Sequence, residues 1–122
     1  MQHQTHFSIV VRVSDLDKAR SFYQNVLELG APVLDSNFWV EFALSDQTSL
    51  ALEKAPVPDE REAHPRVLWT FRVKSLKKFV ARFAEFGYDP GEEKWSESLG
   101  VHLREFHDPE GNPFYVTDAD RI

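Results

Sequence analysis

Cysteine is absent from all 122 residues. That absence excludes disulfides and thiolate metal sites, and it leaves a reducing compartment open to the chain. No Gly-x-Ser-x-Gly elbow and no glycine-rich phosphate loop occurs, so covalent acyl chemistry and phosphoryl transfer have no support. Long apolar runs are missing too, and the opening residues from Met1 to His6 carry neither a basic patch nor the apolar stretch of a signal peptide. A soluble, unexported, cytoplasmic protein without a membrane partner is expected. Positive charge is also short. Fourteen Lys and Arg against twenty Asp and Glu give a formal charge of −6 and a pI near 5.3. Such a field disfavours phosphate backbones, so no nucleic-acid partner is expected. A mild acidic excess serves solubility first and favours cationic ligands second.

What is present is enough for a core. Hydrophobic residues make up 42% of the chain, with ten Phe and three Trp, which suits one compact domain over 1–122. Within it the sequence is written twice. Arg12-Val13-Ser14-Asp15-Leu16-Asp17-Lys18 returns as Arg72-Val73-Lys74-Ser75-Leu76-Lys77-Lys78, 60 residues on. Glu41-Phe42 returns as Glu105-Phe106, 64 residues on, and the Ser45-Asp46-Gln47-Thr48 turn falls opposite Pro109-Glu110-Gly111-Asn112. Two copies of one supersecondary unit can bury faces that neither closes alone.

Each copy reads as βαβββ. Phe7 to Val13 alternates, with Ile9, Val11 and Val13 on one face and Ser8, Val10 and Arg12 on the other. Ser14 is the expected helix cap, with Asp17 as its capping-box acid, and Leu16, Ala19, Phe22, Tyr23, Val26 and Leu27 form an apolar stripe that Gly30 stops. Strands follow at Pro32 to Asp35, Phe38 to Leu44 and Ser49 to Glu53. Phe38, Val40 and Phe42 share a face of the middle one, which leaves Trp39 and Glu41 on the other.

The stretch 55–66, with three prolines and the acids Asp59, Glu60 and Glu62, has no periodicity and reads as a linker between repeat one (6–54) and repeat two (67–118). The second copy opens with Val67 to Val73, whose apolar face carries Trp69 as a core residue. Ser75 caps a helix with the stripe Leu76, Phe79, Val80, Phe83 and Phe86, ended by Gly87. Glu92 to Ser96, Val101 to His107 and Pro113 to Thr117 are its last strands, the final two joined by Asp108-Pro109-Glu110-Gly111-Asn112.

With the repeat, the run from Val13-Ser14-Asp15-Leu16 through Phe22-Tyr23 to Gly30, and the His107 to Asn112 turn, the chain resembles the glyoxalase, bleomycin-resistance and extradiol-dioxygenase superfamily, also called vicinal oxygen chelate, over nearly its whole length. That resemblance implies an α+β fold in which each βαβββ unit curls into a half-barrel and two units surround a cavity. It also implies a small-molecule ligand and a homodimer. Metal enzymes of the family place one ligand on the first strand and one on the last strand of each unit. Carried onto this chain, those places fall on Ser8, Ala51, Leu68 and Tyr115. A divalent ion needs convergent N or O donors, which this set does not offer, so no resident metal or other cofactor is expected. A slipped alignment would bring His6 and Glu53 forward as fallback ligands, since period-two alternation turns them toward the same face.

The remaining histidines read blandly. His3 and His64 lie in terminus and linker, His107 reads as a turn residue, and His102 and His107, five apart, face opposite sides of one strand. The candidate ligand-binding set is Ser8, Arg12, Trp39, Glu41, Glu53, Arg72, Glu105 and Tyr115, an aromatic and charged lining suited to a flat, partly charged organic molecule. Arg12 matches a position at which glyoxalase I enzymes resemble one another in an arginine that contacts a carboxylate; a rim salt bridge with Glu41 or Glu105 is the alternative. Three functions stay open: a metal-free protein that binds or sequesters a small molecule, a divalent-metal lyase, isomerase or dioxygenase with displaced ligands, and an interaction module.

Overall fold

The computed structural model describes residues 6–55, 68–97 and 100–118. His3, His64, Val67 and all of the expected linker except Ala55 lie outside the described residues. The chain divides into two compact units, Met1–Ala63 and His64–Ile122.

The first unit contains β1 (Phe7–Val13), α1 (Leu16–Ser21), a π-helical continuation (Phe22–Val26), β2 (Leu34–Asp35), β3 (Trp39–Ala43) and β4 (Thr48–Lys54). The strands form one mixed sheet in the order β1-β4-β3-β2, with β1 parallel to β4 and the other pairs antiparallel. Alternation in β1 holds as read: Val11 and Val13 are buried while Ser8, Val10 and Arg12 are exposed. Val40, Phe42, Leu50 and Leu52 are fully buried on the helix side, where Tyr23 lies 6.5 Å from Phe42 ring to ring. Burial of each such side chain contributes about 2 kcal/mol.

Three local expectations are corrected here. The helix cap is Asp15, not Ser14, because Asp15 holds the extended backbone of a cap and its carboxylate accepts from Lys18 N at 3.0 Å. Asp17 therefore does not serve as capping-box acid and instead pairs with Arg20 at 2.6 Å. The helix ends at Val26, with Leu27 as its C-cap, rather than running on to Gly30. Widened turns give Leu27 N to Phe22 O (3.1 Å) and Leu29 N to Tyr23 O (3.2 Å), and the chain then leaves through Glu28 at φ 58°, a left-handed conformation that costs about 1 kcal/mol in a residue with a Cβ. Finally, Phe38 is 68% exposed and precedes β3. The Ser36 hydroxyl accepts from Phe38 N and Trp39 N, and Ser36 N donates to Trp39 O, so a tight turn carries Phe38 at its apex.

The second unit contains β5 (Thr70–Arg72), α2 (Leu76–Glu85), β6 (Glu93–Ser96), β7 (Val101–His107) and β8 (Pro113–Thr117). Its sheet runs β5-β8-β7-β6, with β5 parallel to β8. Both halves thus have the expected order, and the fold is α+β with two four-stranded mixed sheets. Ser75 caps α2 by accepting from Lys78 N, and Gly87 at φ 85° ends it, as read. The core is a group of rings: Phe83 stands 4.7 Å from Phe106 and 5.8 Å from Phe79, and Phe106 lies 5.9 Å from Phe114.

Two expectations change in this unit. Within the described part of the expected 67–73 strand, β5 covers Thr70–Arg72; its parallel register sets Thr70 opposite Tyr115 and would carry Leu68 to Pro113, which has no N–H for the ladder. Trp69 accordingly lies before the strand, half-buried but stacked on buried Phe114 at 4.5 Å. Phe86, expected in the buried stripe, is 46% exposed beneath the Arg82 guanidinium.

Candidate functional site

Register decides which side chains meet on the sheet face turned from α1. In the first unit β1 and β4 align Ser8 with Ser49, Val10 with Ala51 and Arg12 with Glu53, while β3 sets Glu41 beside Ala51 and Trp39 beside Glu53. Directly paired residues share a face. Ser8, Arg12, Trp39, Glu41 and Glu53 therefore belong to one surface, as the sequence predicts.

Most of that surface is hydrogen-bonded into one chain. The Ser8 and Ser49 hydroxyls are 2.7 Å apart, His6 Nε2 is 3.0 Å from Ser49 Oγ and 3.9 Å from Glu41 Oε2, and the Trp39 indole N–H donates to Glu41 Oε1 at 3.0 Å. Small residues make the floor, with Ala51 fully buried and Ser49 nearly so. Arg12 Nε meets Glu53 Oε1 at 3.3 Å. The salt-bridge alternative for Arg12 therefore has Glu53 as a partner, because the parallel register puts Glu53 directly opposite.

The Ser49–His6 contact invites comparison with a nucleophile and its base. Glu41, however, approaches the same Nε2 that Ser49 does, so it cannot orient the ring from the other nitrogen as a triad acid must. Ser49 Oγ is also shared with Ser8 and buried. The arrangement suits recognition by hydrogen bonds rather than attack. Ser49 itself escaped the sequence reading, although it stands two residues before Ala51 on the same face and alternation alone could have found it.

The second unit repeats the register. Val10 opposite Ala51 becomes Thr70 opposite Tyr115, Glu41 opposite Ala51 becomes Glu105 opposite Tyr115, and Arg12 opposite Glu53 becomes Arg72 opposite Thr117. Even the turn matches, since Leu44 N donates to Thr48 O at 2.9 Å and Asp108 N to Asn112 O at 3.0 Å. Glu105 and Tyr115 stand side by side. Lys94 Nζ donates to Glu105 Oε1 at 3.0 Å, and His107 Nε2 is 3.5 Å from Oε2. That hydrogen bond, together with the charge of Glu105, raises the Lys94 ammonium above its ordinary pKa. His107 thus ends a strand and partners an acid, where a turn residue was expected. Arg72 lies at the strand end beside a notch of about 420 Å³ lined also by Val73, Lys74 and Asp118.

The places at which family metal enzymes bear ligands hold no convergent donor set here. Ala51 and Leu68 have no side-chain donor atoms, and the Ser8 hydroxyl is engaged with Ser49. The fallback pair also fails. Glu53 lies opposite Arg12, six residues along β1 from His6, which is roughly 20 Å at about 3.3 Å per residue. Among the described residues no three His, Asp or Glu side chains gather as a metal site would require.

With this geometry in place, comparison settles the family. Residues 4–116 match the Glyoxalase/Bleomycin resistance protein/Dioxygenase superfamily. The chain belongs to that superfamily. Solved members with the same fold include a bleomycin-binding protein complexed with bleomycin, 17% identical with a TM-score of 0.68 over 98% of this chain and 100% of that one. A lactoylglutathione lyase from Agrobacterium tumefaciens is 20% identical, with a TM-score of 0.68 over 98% and 96% of the two chains. An antibiotic binding protein from Streptomyces is 24% identical, with a TM-score of 0.66 over 98% and 99%. No curated protein sequence matches the chain. At such identities the superfamily members share the fold, and the residues of the site must speak for the function. No helix among the described residues is long and apolar enough to cross a membrane.

Proposed function

We propose that this superfamily member binds or sequesters a small organic molecule, without a resident metal, on the sheet face that carries Trp39, Glu41, Ser8 and Ser49. The observation that carries the reading is the hydrogen-bonded pair of the half-buried Trp39 indole and Glu41 on one sheet face, beside Ala51, which occupies a family ligand position and bears no donor atom. Aromatic surface with a few fixed polar groups is the usual composition of such sites. Relatives of the same fold bind bleomycin or another antibiotic, which supports a ligand of that size range. The proposal includes a homodimer, as the superfamily resemblance implies, and a cytoplasmic location, as the cysteine-free composition allows, with Arg12 and Glu53 on the same face and Arg72, Glu105 and Tyr115 at the matching places of the second unit as further candidate ligand contacts.

The test combines elemental analysis with a thermal-shift screen of drug-sized compounds on protein purified without chelator. A binder raises the melting temperature by mass action. Expected are a substoichiometric metal content and at least one binder whose effect disappears in Trp39→Ala, a variant that removes the half-buried ring of the site. Stoichiometric nickel, zinc, manganese or iron lost in His6→Ala and Glu41→Ala would overturn the reading in favour of a metal enzyme.

A further inference from the structure

The repeat puts one carboxylate at the same register position of each sheet, Glu41 beside Ala51 and Glu105 beside Tyr115, and their surroundings differ in a way that names a ligand. Glu105 has its counter-charge in the protein. Lys94 holds Oε1 at 3.0 Å and His107 approaches Oε2 at 3.5 Å. Glu41 has none of that kind. Its Oε1 accepts from the neutral Trp39 indole at 3.0 Å, its Oε2 has His6 at 3.9 Å, and among the described residues no lysine or arginine nitrogen reaches it.

A carboxylate held in one orientation, four-fifths buried and without a lysine or arginine partner, gains when a cation arrives. The group that fixes it is itself a large ring. Trp39 is half-buried on the same face, so part of the indole remains to meet a flat or cationic partner. We infer that the Glu41 and Trp39 pair reads a protonated amine or amidine carried on a flat ring. This deepens the small-molecule reading above and rests on it. The cation engages Glu41 Oε2, and the adjoining ring lies against the indole.

The test uses benzamidine and its neutral analogue benzamide as probes, followed by the Trp39 indole N–H resonance in nitrogen-15 NMR. Saturable shifts with benzamidine are expected, with benzamide at least about tenfold weaker. In Glu41→Gln that preference should vanish, whereas in Glu85→Gln, which removes the same charge from exposed α2, it should persist. An unchanged fold spectrum in each variant guards against misfolding. Equal binding of the two probes, retention of the preference in Glu41→Gln, or no shift with millimolar benzamidine each overturns the inference. Equal binding of the two probes that Trp39→Ala abolishes in thermal shift overturns only the cation assignment and leaves the small-molecule reading standing, so the two failures are distinguishable.

Discussion

The two halves share a ladder and little else. Register pairs, the parallel contact between first and last strand and the turn before the last strand all recur, yet the first half packs Leu50, Leu52, Val40 and Val13 around two helix aromatics while the second stacks Phe79, Phe83, Phe106 and Phe114. Backbone pairing needs only alternation and turns, and a core accepts many side chains of suitable volume. The face turned from the helix is freer still. One half there carries a hydrogen-bonded chain around a small floor, the other an ion-paired acid beside a tyrosine. Duplication fixes where a side chain stands, and divergence decides what it does there.

The sharpest break between the halves should come from one glycine. A Cβ on Gly91, at φ 69°, would sit 1.8 Å from the Glu105 carbonyl oxygen, whereas one on Gly30, at φ 81°, would meet nothing. Gly91→Ala is expected to lower unfolding free energy by about 4 kcal/mol or more, because backbone must move, and Gly30→Ala by about 1 kcal/mol from conformation alone. Urea denaturation of both variants checks this. Similar losses would mean that the close approach of Gly91 to β7 does not hold in solution.

Cores come next. Phe106→Ala removes a fully buried ring that touches Phe79, Phe83 and Phe114, and should cost about 4 kcal/mol; Leu52→Ala in the aliphatic half should cost about 3 kcal/mol. A smaller effect follows at the matched turns. The buried Asp108 carboxylate accepts from Glu110 N, Asn112 N and Asn112 Nδ2 at 2.8 to 2.9 Å, while its counterpart 64 residues earlier, Leu44, is 46% exposed. Asp108→Ala should therefore destabilise by about 2 kcal/mol and Leu44→Ala by well under about 1 kcal/mol. Equal losses in thermal unfolding would show that the second turn does not depend on its carboxylate.

Alternation and the repeat made the strand faces legible before any coordinates: β7 and β8 fall where they were read, and Trp39 and Glu41 share the expected surface. Local rules misplaced what tertiary detail decides. Asp15 outcompetes Ser14 as a cap because the helix starts one residue later, and Phe38 is drawn out of β3 by the Ser36 hydroxyl. For the site, membership of a face could be read but not partners. His6 and Glu53 share a face yet lie at opposite ends of it, a consequence of parallel register that no count of residues within one strand reveals. Lys94 was missed for the same reason, since its strand reaches Glu105 only through antiparallel pairing with β7.

The mildest test of the comparison lies on Lys94, whose ammonium is raised first by its hydrogen bond to Glu105, then by the charge of Glu105 and of ionised Tyr115. A base whose folded pKa exceeds its unfolded one supports the fold fully below the ordinary lysine range of about 10.4, and that support is lost as pH climbs through the raised value. Glu105→Gln removes both leading causes. Its Lys94 should then titrate nearer the ordinary range, with the change visible in the side-chain carbon resonance of Lys94, while Glu41→Gln in the other half leaves that titration where it was. If Lys94 titrates alike with and without Glu105, the second carboxylate lacks its lysine partner in solution. The contrast that singles out Glu41 would then lose its reference.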